Sequence, residues 1–433
     1  MQHFSSVDGV LHAEHVPLTD IAEQFGTPVY VYSKDALSAN YAAYADACRA
    51  HGRAIGSKGG ALVCYSVKSN SNLAVLNLLH RLGSGFDIVS GGELLRVLAA
   101  GGSPDKVIFS GVGKTVEEMR LALSHNILCF NLESIPELHR LNEVAAAMGK
   151  RAPVSLRVNP NVDAKTHPYI STGLKENKFG IAFEDALATY RIAAALPHIE
   201  VCGIDCHIGS QLLDDAPLLE ALDKLIELID TLAREGISIH HLDIGGGIGI
   251  PYEGGQSVAV GDYLARLFAR IDAWRASTHQ GKPIQVMFEP GRSISANAGL
   301  LLTRVQYLKH GSEKNFAIVD AAMNDLARPA MYEAWHEVLP VVEHQIAAET
   351  YDVVGPVCES GDWLARARQL AIAQDDLLAI MCAGAYGMTM ASNYNTRGRA
   401  AEVMVDGVHV HVIREREIPS ALFALESIPE YTR

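Results

Sequence analysis

The sequence predicts an α/β protein: a (β/α)8 TIM-type barrel plus a mainly β C-terminal domain, with the barrel inserted after an N-terminal strand of that β domain. Three observations predict it. Between about residues 60 and 290, eight short apolar runs alternate with amphipathic helical stretches. Beyond residue 300 the long helical stretches give way to short, often alternating strands. One strand-like run, TPVYVYS at 27–33, precedes the barrel and is assigned to the sheet of the C-terminal part.

The eight runs are ALVCYS (61–66), FDIV (86–89), KVIFS (106–110), LCFNL (128–132), VSLRV (154–158), VCGIDCHI (201–208), HHLDI (240–244) and IQVMFE (284–289). Between them lie helical patterns such as GELLRVLAA, TVEEMRLALS, SIPELHRLNEVAAAM, EDALATYRIAAAL and PLLEALDKLIELIDTLAREG. Eight strand–helix units fit a closed barrel better than an open doubly wound sheet. The later strands are LLTRVQYL, NFAIVD, YDVV, LLAIMC, AEVMVDG and VHVHVIRE. The expected boundaries are 1–35 for the N-terminal part of the β domain, 36–292 for the barrel and 293–433 for the C-terminal β domain.

Composition excludes several classes. Of 433 residues, 48% are hydrophobic and 20% charged, which is ordinary for a soluble protein with a large core. The net charge of −14 is the opposite of the basic surplus that holds nucleic-acid phosphates. The N-terminus lacks a basic region followed by an apolar stretch, so no signal peptide is expected. No run approaches roughly 18 uninterrupted apolar residues, so no membrane span is expected. Seven scattered cysteines without a CxxC pair read as reduced thiols and a cytoplasmic location.

Some motifs mislead. Gly113-Lys114-Thr115 resembles the end of a phosphate-binding loop, but that motif needs a glycine at 108, where Ile108 stands. Gly245-Gly246-Gly247-Ile248-Gly249 follows a strand, but the third glycine is misplaced for a dinucleotide fingerprint and Pro251 follows. Backbone N–H groups there still suit a phosphate. His240, His241 and Asp243 suggest a metal, yet strand neighbours point to opposite faces, so none is expected. No GxSxG elbow is present.

Barrel enzymes keep their chemistry at the carboxyl ends of the strands. Those ends carry Lys68, Asp87, Ser110, Asn131, Arg157, His207, Gly245–Gly247 and Glu289-Pro290-Gly291-Arg292. A lone lysine there reads as a solvated charge. Polar residues and glycines recurring at one end of eight elements read as a site.

YSVKSN (65–70), CHIGSQ (206–211), GGG (245–247), EPGR (289–292) and CESGD (358–362) resemble the alanine-racemase-like, barrel-type pyridoxal-phosphate-dependent decarboxylases. Within that group the chain is similar to the diaminopimelate decarboxylase family. TGLKENKFGI (172–181), EPGRSISANAG (289–299), NDLARPAMYEAWHE (324–337) and GAYGMTMASNYN (384–395) carry this closer likeness, which covers nearly the whole chain. Ser66 and Ser69 stand where alanines are common, and neither is expected to alter the chemistry.

The resemblance implies a carboxy-lyase that converts meso-2,6-diaminopimelate to L-lysine and CO2, the last step of lysine biosynthesis, with pyridoxal 5'-phosphate as cofactor. It implies that Lys68 carries the cofactor through its amine, a usable nucleophile when partly desolvated. Glu289 then faces the ring nitrogen and His207 lies flat against the ring. Gly247 and Gly291 hold the phosphate through N–H groups, with Ser210, Tyr386 and Arg292 beside them. Arg292 and Arg328, with Tyr332 and Tyr386, take the distal carboxylate, and Glu359 takes the distal ammonium. Cys358 protonates the carbon left after CO2 departs. Cys358 and Glu359 reach the neighbouring subunit's site, so a homodimer with shared sites is implied.

Four alternatives stand beside this reading. A sister decarboxylase for ornithine, arginine or carboxynorspermidine has little use for Arg292 together with Arg328. A racemase would need a reason to retain the carboxylate. A catalytically inactive binding protein on the same fold is expected to have lost Lys68 or Cys358. A barrel enzyme without the cofactor would purify colourless.

Overall fold

The computed structural model describes residues 3–56, 60–163, 178–278 and 284–431. The chain forms two compact units, one of Leu37–Ile294 and one of Met1–Ala36 with Ser295–Arg433.

The first unit is a closed eight-stranded parallel barrel. Its strands are Ala61–Ser66, Gly85–Ile88, Val107–Phe109, Cys129–Leu132, Ala152–Asn159, Ile199–Asp205, His241–Asp243 and Gln285–Phe288. Each pairs in parallel with the next, and Phe288 closes the ring beside Val63. Parallel strands are covered on both faces, which is why they read as near-continuous apolar runs. Leu62, Cys64, Ile108, Cys129 and Met287 form one buried cluster, as expected of a barrel whose inside is packed rather than hollow.

Polar caps start the helices that follow the first four strands. Asn72, Ser90, Thr115 and Ser134 follow the first four strands, and each side chain accepts a backbone N–H of the helix it begins. Thr115 and Glu118 cap one another reciprocally. Each cap is worth about 1 kcal/mol, and together they fix the turns on the face that carries the chemistry. At the seventh strand His241 is buried and His240 exposed, as strand alternation requires. His241 lies against its register partner Gly203, where a Cβ would come within 1.8 Å of the imidazole. Its role is packing.

The second unit is mainly β. Val29–Ser33 lies between Gly299–His310, antiparallel, and Ala401–Asp406, parallel. The N-terminal strand is therefore internal to the sheet of the C-terminal part. Tyr30 and Tyr32 are fully buried and donate to the Asp325 carbonyl and the Glu402 carboxylate, each at 2.7 Å. Beyond the expected strands, the structure adds Trp363–Leu370, Val338–Pro340 and an N-terminal meander, Phe4–Val7, Val10–Ala13 and Val16–Pro17. Alternation in WLARARQL is broken where Ala367 adopts φ 53°, beside shifts in register against Glu349–Val354.

Candidate active site

Lys68 sits in a single 3-10 turn, Val67–Ser69, directly after the first barrel strand. Its Nζ donates to Asp87 Oδ2 at 3.1 Å. Asp87 is the register partner of Ser66 on the next strand. The Ser66 hydroxyl is shared between Asp87 Oδ2 at 2.9 Å and the Glu289 carbonyl at 3.0 Å. Ser66 therefore belongs to the network that holds the lysine. Asp87 Oδ1 is buried with no partner among the described residues.

Glu289 leaves the eighth strand and is buried. Its Oε1 receives Asn131 Nδ2 at 3.4 Å and the Ser110 hydroxyl at 3.5 Å. Asp205 and Asp243, register partners at the ends of the sixth and seventh strands, lie beside it. One oxygen from each of the three carboxyls falls within 4.8 Å of the others. Such a spacing has room for a cation. Burial, then repulsion from neighbouring carboxylates, pushes Glu289 and Asp205 well above the usual carboxylate range. Burial pushes Asp243 up to about 7. Arg157 lies close by, donating to Glu133 Oε1 and to the His207 carbonyl, both at 3.2 Å, with its guanidinium over Phe179. Burial alone would lower its pKa, but Glu133 and the acid cluster outweigh that and raise it.

His207 follows the sixth strand. Its Nδ1 accepts the Gly246 N–H at 3.2 Å, so a neutral ring carries its proton on Nε2. Enclosure of the ring, then the Arg157 and Lys68 cations, hold its pKa well below the usual value.

The glycines make a cradle. A Cβ on Gly246 would lie 2.2 Å from the Glu289 carbonyl oxygen, and one on Gly247 2.6 Å from that of Gly209. Gly247 also holds φ +114°. Among the described residues no acceptor pairs with the Gly247 N–H. Arg292 begins a short helix after the eighth strand. Its guanidinium donates to the Ser210 hydroxyl at 3.2 and 3.3 Å and to Tyr252 OH at 2.8 Å. Gly291 packs against Ser66 and Ser69, each about 3.0 Å from where its Cβ would stand. The barrel therefore presents an amine on a carboxylate, a buried acid cluster, an imidazole tethered through Nδ1 and an anion cradle at the carboxyl ends of its strands. That set fits a pyridoxal phosphate, which needs an amine, a proton partner for its ring nitrogen and donors for its phosphate.

The remaining expected residues lie in the β unit. Arg328, buried, opens the helix Arg328–Tyr332, which Tyr332 ends half-buried. Cys358 and Glu359 are exposed at the tip of a loop. Asp362 anchors that loop by accepting the Val357 and Met323 N–H groups at 2.8 and 2.6 Å. The Cys358 N–H donates to Asn395 Oδ1 at 3.0 Å. Tyr386 is half-buried at φ 56°, in the left-handed region. Of TGLKENKFGI, residues 172–177 lie outside the described residues.

Asp205, Asp243, Ser66, Tyr252 and Glu93 were not anticipated as site residues. Glu93 accepts the Val89 N–H at 2.7 Å, and burial pushes its carboxyl up to about 7, with Asp87 and Lys68 in reach. The lysine of the Gly-Lys-Thr decoy is structural. Lys114 is buried and donates to the Gly111 and Asn131 carbonyls and Glu137 Oε1, at 2.7 to 2.8 Å.

Residues 45–296 match the family model of the pyridoxal-dependent decarboxylases, pyridoxal binding domain. A diaminopimelate decarboxylase of Pseudomonas aeruginosa is 58% identical over 428 residues, covering 99% of each chain. The chain belongs to the diaminopimelate decarboxylase family. Members of that family with known structures share the fold. The Helicobacter pylori diaminopimelate decarboxylase complexed with L-lysine matches with a TM-score of 0.87 at 41% identity, covering 94% of this chain and 99% of that one. The diaminopimelate decarboxylase of M. jannaschii in complex with L-lysine matches with a TM-score of 0.91 at 38% identity, covering 98% of each. No helix among the described residues is long and apolar enough to cross a membrane.

Proposed function

We propose that this protein decarboxylates meso-diaminopimelate to L-lysine, with pyridoxal phosphate carried on Lys68. The observation that carries the proposal is the Lys68–Asp87 pair beside the buried Glu289 carboxyl, at the carboxyl ends of adjoining barrel strands. When bound, the cofactor supplies an electron sink for the pair left behind as CO2 departs.

The chain's residues have separable tasks. Asp87 holds the Lys68 amine at the end of the first strand. Glu289 would face the ring nitrogen of the cofactor and hold a proton there at its carboxyl. Asn131 and Ser110 orient that carboxyl. His207, neutral and tethered through Nδ1, presents a flat face that limits tilt. The Gly247 and Gly291 N–H groups, with Ser210, Arg292 and Tyr386, bind the phosphate.

Substrate selection follows from charge. Arg292 and Arg328, with Tyr332 and Tyr386, bind a carboxylate at the far end of the substrate, and Glu359 binds the ammonium there. Cys358 delivers a proton from Sγ to the carbon that lost CO2. The exposure of Cys358 and Glu359 suits residues offered to a second copy, so the working form is a homodimer with shared sites, in the cytoplasm.

CO2 release from meso-diaminopimelate, measured beside ornithine, arginine and carboxynorspermidine, tests the reading. The expected result is turnover of diaminopimelate with a kcat/KM at least about 100-fold above the others, the discrimination that one well-placed charged contact supplies. Equal or better turnover of any of the other three overturns it.

A further inference from the structure

The segment NDLARPAMYEAWHE contributes more than Arg328. After the helix Arg328–Tyr332, Glu333 turns the chain at φ 51°, and His336 comes back beside the arginine. Arg328 Nη1 lies 2.9 Å from His336 Nε2, and both residues are buried, His336 completely. A guanidinium has only donors, so Nε2 must accept. The imidazole proton is therefore on Nδ1, which lies 2.8 Å from the Met381 carbonyl and donates to it. The ring is neutral in this arrangement, with each nitrogen committed to a different partner.

The histidine is itself held. Met381 returns its N–H to the Glu337 carbonyl at 2.8 Å, and Val338 pairs with Ile380 as the strands begin. Arg368 Nη2 donates to the His336 carbonyl at 3.1 Å, and its guanidinium stacks over Trp335. Sheet register, a main-chain carbonyl and a stacked arginine thus fix the ring that meets Arg328.

We propose that His336 is the positioning residue that aims the Arg328 guanidinium, and so sets the preference for a substrate with a distal carboxylate. The inference rests on the reading that Arg328 binds that carboxylate. A neutral acceptor suits the task. It takes one N–H and fixes the plane of the fork, while this contact cancels none of the positive charge. An aspartate or glutamate at 336 would orient the fork equally well but would compete with the substrate for its charge.

Three substitutions in the holoenzyme separate aiming from mere support. His336→Gln keeps an oxygen acceptor near the Nε2 position. His336→Asn keeps an N–H toward Met381 but withdraws the acceptor from Arg328. His336→Glu keeps the acceptor and adds a negative charge. The expected result is a KM for meso-diaminopimelate within about threefold for His336→Gln, and raised at least about tenfold for the other two. In all three, kcat and the absorption spectrum of the bound cofactor stay near wild type. A KM unchanged in His336→Asn and His336→Glu overturns the proposal, as does a uniform fall in kcat with KM unmoved.

Arg328→Ala separates the two layers. If it leaves KM unchanged, the reading of Arg328 fails. If it raises KM while the His336 variants do not, only the positioning role fails. Should the variants misfold, 15N NMR of histidine-labelled wild-type protein decides. The proposal requires His336 protonated on Nδ1 and bare on Nε2, and the opposite tautomer contradicts it.

Discussion

Lys68 Nζ and Asp87 Oδ2 stand 3.1 Å apart at the ends of adjacent barrel strands, and Asp87 is buried while the lysine is half-open. The carboxylate has one oxygen on the lysine and Ser66, and one with no partner among the described residues. A buried carboxylate in that position holds the amine by charge. Asp87→Asn removes the charge and keeps the shape. It should lower kcat about 10- to 100-fold, the worth of a charged hydrogen bond, while protein still purifies folded. Ser66→Ala removes only a neutral donor and should cost less than about fivefold, on the order of 1 kcal/mol. Steady-state kinetics on both variants checks the order. A Ser66→Ala loss larger than that of Asp87→Asn contradicts it.

The acid cluster has a signature in stability. Burial pushes Asp243 up to about 7, above an ordinary value near about 4. The folded state then binds this proton more tightly than the unfolded state. The stability so contributed is full below about pH 4 and fades as the pH rises through about 7. Asp243→Asn keeps an oxygen for the Gly245 N–H that Asp243 Oδ1 now accepts at 2.8 Å. It removes the titration. The slope of unfolding free energy against pH between about 4 and 7 should become less negative, by up to about 1.4 kcal/mol per pH unit. Urea titrations of cofactor-free protein across that range measure it, and an unchanged slope means Asp243 is ionised in the fold.

Lys114 offers a test of a residue that looks functional and is not. Its side chain is fully enclosed against Glu137. Lys114→Met leaves Glu137 with an uncompensated charge and should cost about 3–5 kcal/mol of stability. The folded fraction should keep its cofactor absorption and its KM. Loss of cofactor from otherwise stable protein would show a direct role.

Cys358 and Glu359 share a loop, and the proposed function gives them different tasks. Cys358→Ala should lower kcat about 100-fold or more, as loss of a proton donor does, with KM within a few-fold. Glu359→Gln should raise KM for diaminopimelate about tenfold with kcat nearly unchanged. Mixing Lys68→Ala with Cys358→Ala protein should restore activity, because mixed dimers hold one site with both residues intact. No recovery on mixing contradicts shared sites.

The barrel was legible because parallel strands are buried on both faces, so runs such as ALVCYS and VSLRV stand out without any period to find. The strand Trp363–Leu370 was not, because the turn at Ala367 breaks its alternation and puts Arg368 inside. Lys68, His207 and Glu289 could be found by position, since each lies within two residues of the carboxyl end of its strand. Asp205 and Asp243 sit within the apolar runs, and only the cost of burying an unpaired acid there marks them. The contact between Arg328 and His336 depends on a left-handed turn at Glu333, a conformation that glutamate does not announce.

Lys68 is the centre of the account, and borohydride reduction of the holoenzyme followed by peptide mapping tests it most directly. The predicted result is a single stable pyridoxyl label on Lys68, with loss of activity in step with labelling. A label on any other lysine, or full inactivation with Lys68 unmodified, contradicts it.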